Sequence, residues 1–93
     1  MQKYLIVIEK AKSNYSAYSP DVDGCIATGD TVERTLQNIK DALEFHIEGT
    51  VDAGEGIPHP KGIEYHLQRG DFLLEEDTLV TQIEVHVPDA AVA

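Results

Sequence analysis

The stretch DTVERTLQNIKDALEFHIEG, residues 30–49, has the strongest periodicity in the chain and decides the fold class. Its large apolar side chains recur at intervals of 4, 3, 4 and 4 residues, the spacing of one face of an amphipathic helix: Val32, Leu36, Ile39, Leu43 and Ile47. Asp30 is placed to cap the helix N-terminus, with Glu33 at capping-box spacing, and Gly49 stands just past the C-terminus. The sequence predicts a helix over residues 31–48, about 27 Å long at about 1.5 Å per residue.

Three strand-like segments precede this helix. Tyr4–Ile8 is a nearly continuous β-branched apolar run, which predicts a strand buried on both faces. Tyr15–Ser19 alternates weakly and stops at Pro20, and Cys25–Thr28 predicts a short third strand. The residues Asp21–Gly24 between these two strands predict a turn.

The chain after the helix predicts one further strand. Residues 54–60 contain two glycines and two prolines and are expected to cross back in an extended conformation. Ile63, Leu67 and Phe72 fit a short helical turn, and residues 80–87 alternate as a half-exposed strand. The order β-β-β-α-β predicts a single α+β domain over residues 1–93, with one long helix packed on a mainly antiparallel sheet.

Composition excludes several classes of function. Seven basic and 17 acidic residues give a net charge of −10, which argues against direct nucleic-acid binding and favours a basic protein partner. A single cysteine excludes an internal disulfide framework and a multi-thiolate zinc site. No apolar run approaches the roughly 18 residues of a membrane span, and no signal peptide is expected, so we expect a cytoplasmic protein without membrane contact.

Three motifs in order resemble the signature of the HicB antitoxin family. They are YSPDVDGCIATGDT at residues 18–31, NIKDAL at 38–43 and GIPHP at 56–60. The resemblance covers about residues 4–60, and residues 61–93 then form a C-terminal extension. It implies a degenerate RNase H-like fold and a non-enzymatic antitoxin that binds and neutralises a small basic HicA-like toxin, an mRNA-cleaving protein.

The same family admits another interpretation, because many relatives add a DNA-binding module that residues 61–93 are too short and too acidic to form. A stand-alone HicB-like adaptor or ligand-binding domain without a toxin partner is the alternative. A neighbouring gene for a short basic protein would favour the antitoxin.

Catalytic, metal and cofactor sites are not expected. An RNase H-like nuclease needs acids that converge from a strand and the helix, but Tyr4–Ile8 contains no acid, and Asp21 and Asp23 lie in a turn where Asx-type hydrogen bonding explains them. Cys25 is expected to be a small apolar side chain that fills space in the core. The four histidines lack a metal-ligand spacing among themselves or with Cys25: His46, His59, His66 and His86.

A partner interface is predicted on the helix around Phe45, which lies off the apolar stripe. Either the C-terminal segment covers Phe45 or it anchors an intermolecular contact, with Asp41, Glu44 and Glu48 as an acidic rim for a basic toxin. The modest core and the open sheet edges also predict a homo-oligomer built on a dimer, paired through the last strand or through Phe45.

Overall fold

The computed structural model of the chain describes residues 2–88. Its elements, in chain order, are β1 (Gln2–Lys10), β2 (Tyr15–Ser19), β3 (Val22–Gly29), α1 (Val32–Asp52), α2 (Ile63–Arg69) and β4 (Thr78–Val85). The four strands form one antiparallel sheet, and α1 covers one of its faces. The predicted α+β class and the predicted element types are confirmed.

The sheet has the strand order β3-β2-β1-β4, so β1 is central and β3 and β4 are edges. β1 pairs with β4 in an unbroken register from Gln2 opposite Val85 to Glu9 opposite Thr78. The segment Tyr4–Ile8 is at most 1% exposed, which confirms a strand buried on both faces. A strand of this composition occupies the centre because both of its faces require apolar cover.

Two apolar clusters of unequal size lie on the two faces of the sheet. On the larger one, Ile39, Leu43 and Ile47 of α1 are fully buried against alternate β1 residues, among them Tyr4. The smaller cluster contains the remaining buried β1 side chains, Leu5 and Val7, together with Phe72. Tyr18 and Val80 flank this cluster. The stability of the fold therefore comes mainly from the α1 face.

Both predicted ends of the long helix are wrong. The N-cap is Thr31 and not Asp30, since the Thr31 hydroxyl accepts the backbone N–H of Arg34 at 3.0 Å. The N3 position is therefore Arg34, so the expected capping box with Glu33 does not form. Gly49 does not end the helix, which continues to Asp52, because a single glycine lowers helix propensity without preventing helical backbone.

Strand boundaries also differ from the predicted ones. β3 begins at Val22, so the turn shortens, and Gly24 with φ +83° lies inside the strand near an irregularity in the β2–β3 pairing. A positive φ within a strand is the conformation that glycine adopts without steric cost. β4 runs two residues earlier than predicted at each end, because its register is set by pairing with β1.

Candidate functional site

The outward face of α1 presents an exposed aromatic ring among acids. Phe45 is 79% exposed, and no residue between 2 and 88 covers it. Asp41 and Glu48 lie about 40° and 60° from Phe45 around the axis of an α-helix, at about 100° per residue. Both are exposed, and Asp41 accepts a hydrogen bond from the Gln37 amide at 2.9 Å. Three of the four predicted interface residues therefore share one surface.

Glu44 is directed elsewhere. Its side chain is half-buried, and its Oε2 accepts the backbone N–H of His86 at 2.9 Å, just beyond the end of β4. Glu44 thus lies towards β4, about 100° around the helix from Phe45. The bond to His86 ties α1 to the chain after β4, a contact that a helical wheel alone does not reveal.

A groove of about 580 Å³ runs beside Phe45 between α1 and the edge strand β3. Ile26 of β3, 68% exposed, lines its other side, with Ala42 and Gly49 of the helix between them. A Cβ added to Gly49 would meet no atom within 4 Å, so the groove is open at this point. The sequence prediction missed Ile26, although an isoleucine on a short strand before a turn-rich segment is compatible with an exposed edge position.

A polar cluster separate from the Phe45 surface lies at the β2–β3 turn and consists of His66, Asp21 and Asp71. The His66 ring, 3% exposed, places Nε2 at 2.6 Å from Asp21 Oδ1 and Nδ1 at 2.7 Å from Asp71 Oδ2. Asp21 also accepts the backbone N–H groups of Leu5, at 3.0 Å, and Lys61, at 2.9 Å. These bonds fasten β1, the segment before α2 and α2 itself to a single turn carboxylate.

The Asx-type role expected for Asp21 is therefore wrong, because its carboxylate bonds to distant segments. Burial lowers the pKa of His66, but its hydrogen bonds to Asp21 and Asp71 outweigh this, so that the pKa is raised above 6.5. The pKa of Asp71 is lowered, first by its hydrogen bond with His66. Both ring nitrogens of His66 are occupied by these bonds.

An open cleft of about 630 Å³ lies over this cluster, with Tyr65, Arg69 and Lys61 at its walls. Within residues 2–88, no three His, Cys, Asp or Glu side chains converge in an arrangement that could hold a metal ion. Cys25 is buried, its thiol lies 3.9 Å from the Ala42 carbonyl oxygen, and burial raises its pKa. A buried protonated thiol is a poor nucleophile, in keeping with its predicted packing role.

Comparison with known families settles the relationship. The family model described as the HicB_like antitoxin of bacterial toxin-antitoxin systems matches residues 4–91, well beyond the 4–60 stretch that carries the three motifs. The chain belongs to the HicB-like antitoxin family. Within residues 2–88, none of the helices of this HicB-like protein is both long enough and apolar enough to cross a membrane.

A phage protein is similar to this HicB-like chain over most of the chain's length. It is 37% identical over 82 residues to an uncharacterized 14.9 kDa protein from the rep-hol intergenic region of Haemophilus phage HP1, covering 88% of this chain and 59% of the phage protein. The HicB-like chain therefore spans little more than half of that relative.

Solved structures share the fold. A chain of the HicA3 and HicB3 toxin-antitoxin complex superimposes with a TM-score of 0.69 at 28% identity, over 91% of this chain and 99% of that one. The N-terminal domain of the Burkholderia pseudomallei antitoxin HicB has a TM-score of 0.78 at 19% identity, over 92% and 100% of the two chains. The HicB-like chain thus has the architecture of that N-terminal domain.

Proposed function

We propose that this HicB-like chain is a non-enzymatic, cytoplasmic antitoxin domain that binds and neutralises a small basic HicA-like mRNA-cleaving toxin. Membership of the antitoxin family and similarity to a chain from a toxin-antitoxin complex support this function. The observation that assigns this function to particular residues is the exposure of Phe45, whose aromatic ring lies at the centre of an acidic face of α1.

Phe45 has the properties of an interface anchor. A phenylalanine left in water loses about 1.5–3 kcal/mol of transfer free energy that burial against a partner would recover. The groove beside it has Ile26 on its far wall and Ala42 between the two, while His46, Thr50 and Glu55 add polar groups to its lining, so a partner side chain with an apolar body and a polar end can fill it. Aromatic anchors of this kind often dominate binding energy at protein interfaces.

Charge around this surface favours a basic partner. Asp41, Glu48 and Asp52 lie on the exposed side of α1, and the last turn of the helix contains no basic residue. The negative end of the helix dipole adds to the potential of these carboxylates. We propose that Asp41, Glu44, Phe45 and Glu48 form the toxin interface, with Phe45 central and Glu44 at its margin. Direct binding of nucleic acid by this chain is not part of the proposal, given the net charge of −10.

Binding to a purified HicA-like toxin, measured by calorimetry at two salt concentrations, tests the interface. Phe45→Glu is expected to weaken binding by about 30-fold or more, since each 1.4 kcal/mol is about tenfold. Leu73→Glu is the matched control, because Leu73 is 70% exposed and lies outside α1 and its groove. Binding should also weaken at the higher salt concentration, because ions screen the attraction between the acidic surface and a basic partner.

Two results would count against this assignment. Equal binding by the Phe45 and Leu73 variants would remove Phe45 from the interface. Failure of the unmodified chain to bind the toxin, or to rescue cells that express it, would favour the adaptor or ligand-binding alternative.

We also propose that the domain forms a homo-oligomer built on a β4–β4′ dimer. In a two-fold antiparallel pairing centred on Thr81, Leu79 would lie opposite Ile83 of the second copy, and Thr81 opposite its own equivalent. The groove along this edge is lined by Lys3 and Lys40 as well as Glu84, so it is among the less acidic surfaces of an acidic chain. Light scattering at micromolar concentration should give about twice the monomer mass, and Gln82→Pro, which removes a backbone donor directed away from β1, should return it to about 10 kDa. A mass that stays at the monomer value on concentration contradicts the dimer.

A further inference from the structure

The short helix α2 has little apolar packing of its own. His66 is the buried residue of its seven, while Ile63, Tyr65 and Leu67 are 40–41% exposed. A helix of this length is not stable through helix propensity alone, so tertiary contacts must hold it. Those contacts are made by the His66 ring and by the Phe72 side chain just after the helix, which packs on the sheet face that carries the smaller apolar cluster.

The contacts of the His66 ring require hydrogen on both nitrogens. A neutral imidazole has one N–H donor and one acceptor nitrogen, whereas an ionised carboxylate only accepts. A neutral His66 would therefore direct a lone pair at a carboxylate oxygen 2.6 or 2.7 Å away. The two backbone N–H groups that also point at Asp21 fit an ionised carboxylate, so the imidazolium form is the one that satisfies every contact.

We propose that protonated His66 is a pH-sensitive latch that fastens α2 to the β2–β3 turn. When the ring loses its proton, α2 and the segment that follows it detach from the smaller face of the sheet, while α1 and the larger core stay folded. The cleft over the latch and the groove beside Phe45 share Gly24, Cys25 and Ile26 of β3 as lining residues.

The titratable and charged groups that line the cleft over the ring or lie near its two carboxylates come from every element there: Asp21 from the turn, Asp23 and Cys25 from β3, Tyr4 from β1, Tyr18 from β2, His59 and Lys61 from the segment before α2, Tyr65 and Arg69 from α2, and Asp71 after it. Burial raises the pKa of Tyr4 and of Tyr18 above 10, and that of Asp71 is lowered, so these three keep their charge state between about pH 6 and 9. The Lys61 contact uses a backbone N–H and does not titrate.

The direction of the effect follows from linkage. Because the pKa of folded His66 is raised above the 6.5 of an unperturbed imidazole, the latch is fully engaged below pH 6.5 and is lost as pH rises through the folded-state pKa. Each unit between the two pKa values corresponds to about a tenfold change in the equilibrium between closed and detached α2.

Nuclear magnetic resonance of the full chain with ¹⁵N-labelled histidine tests the latch directly. His66 should titrate with a midpoint above 6.5 and show two protonated nitrogens at pH 6. Amide protection factors in α2 should fall above that midpoint while those of Ile39 and Leu43 in α1 persist. A neutral His66 at pH 6, or α1 and α2 losing protection together, would overturn the proposal.

Two variants separate the latch from general acid–base effects. His66→Gln should lose α2 protection already at pH 6 and leave α1 protected. His59→Gln is the control, since His59 is exposed and lines the same cleft without a bond to either carboxylate. If His66→Gln kept the pH profile of the unmodified chain, His66 would not be the latch.

Discussion

Replacing Gly29 with alanine probes the closest approach between the sheet and α1. A Cβ at Gly29 would lie 2.6 Å from Thr35 Oγ1, 2.8 Å from Thr35 N and 3.0 Å from Thr35 Cα. Two of these atoms belong to the helix backbone and cannot move alone. The hydroxyl is also held, because it donates a 2.7 Å hydrogen bond to the Thr31 carbonyl oxygen. The substitution must therefore push β3 and α1 apart.

The expected cost follows from two opposing effects. Overpacking of a core by one methyl group costs about 1–3 kcal/mol, and replacing glycine by alanine recovers about 0.4–1 kcal/mol through the unfolded state. A net loss of about 1–2 kcal/mol lowers the melting temperature by roughly 4–16 °C for a domain of this size. Thermal unfolding followed by circular dichroism measures this directly.

Gly49→Ala is the matched control for this experiment. Gly49 lies inside α1, and a Cβ there would meet no atom within 4 Å. Alanine should stabilise the helix by about 0.5–1 kcal/mol and raise the melting temperature. If Gly29→Ala stabilised the domain as much as Gly49→Ala does, the close contact between β3 and α1 would be refuted.

Other substitutions test local features of the fold. Thr31→Ala should cost about 1 kcal/mol in urea unfolding because it removes the helix N-cap, whereas Asp30→Ala should cost much less; the reverse order would restore Asp30 as the cap. Tyr4→Phe should cost about 1 kcal/mol, since it leaves the Pro58 carbonyl without the 2.7 Å hydrogen bond from the Tyr4 hydroxyl, and an unchanged urea midpoint would contradict that bond. Cys25 should react with a thiol reagent only after unfolding, because it is buried and burial raises its pKa; rapid labelling of the native protein would show an accessible thiol.

The sequence predicted the elements with local periodicity well. The stripe through Ile39, Leu43 and Ile47 identified the buried face of α1, because a helix repeats its contacts every three or four residues. It did not identify Thr35, which is fully buried where Gly29 allows β3 to approach. That burial depends on the strand opposite, and helix periodicity contains no information about it.

The candidate sites depend even more on contacts between different elements, which the periodicity of one element does not reveal. Phe45 stood out because it departs from the helical stripe, and it is indeed exposed. Its neighbour across the groove, Ile26, belongs to another element and gave no periodic signal. The His66 cluster was missed because its partner Asp21 lies 45 residues away along the chain, and only tertiary structure brings the two together.

The position of β1 at the centre of the sheet has a consequence for how the chain folds. β1 and β2 are neighbours in sequence and form a local hairpin, which closes quickly. The backbone groups on the other edge of β1 stay unpaired until β4 is in place, because this pairing closes a loop that includes most of the chain. Until Thr78–Val85 has been synthesised and has docked, the most apolar strand of the domain offers an open row of backbone donors and acceptors. A nascent or prematurely terminated chain is therefore the form most exposed to aggregation and to proteases.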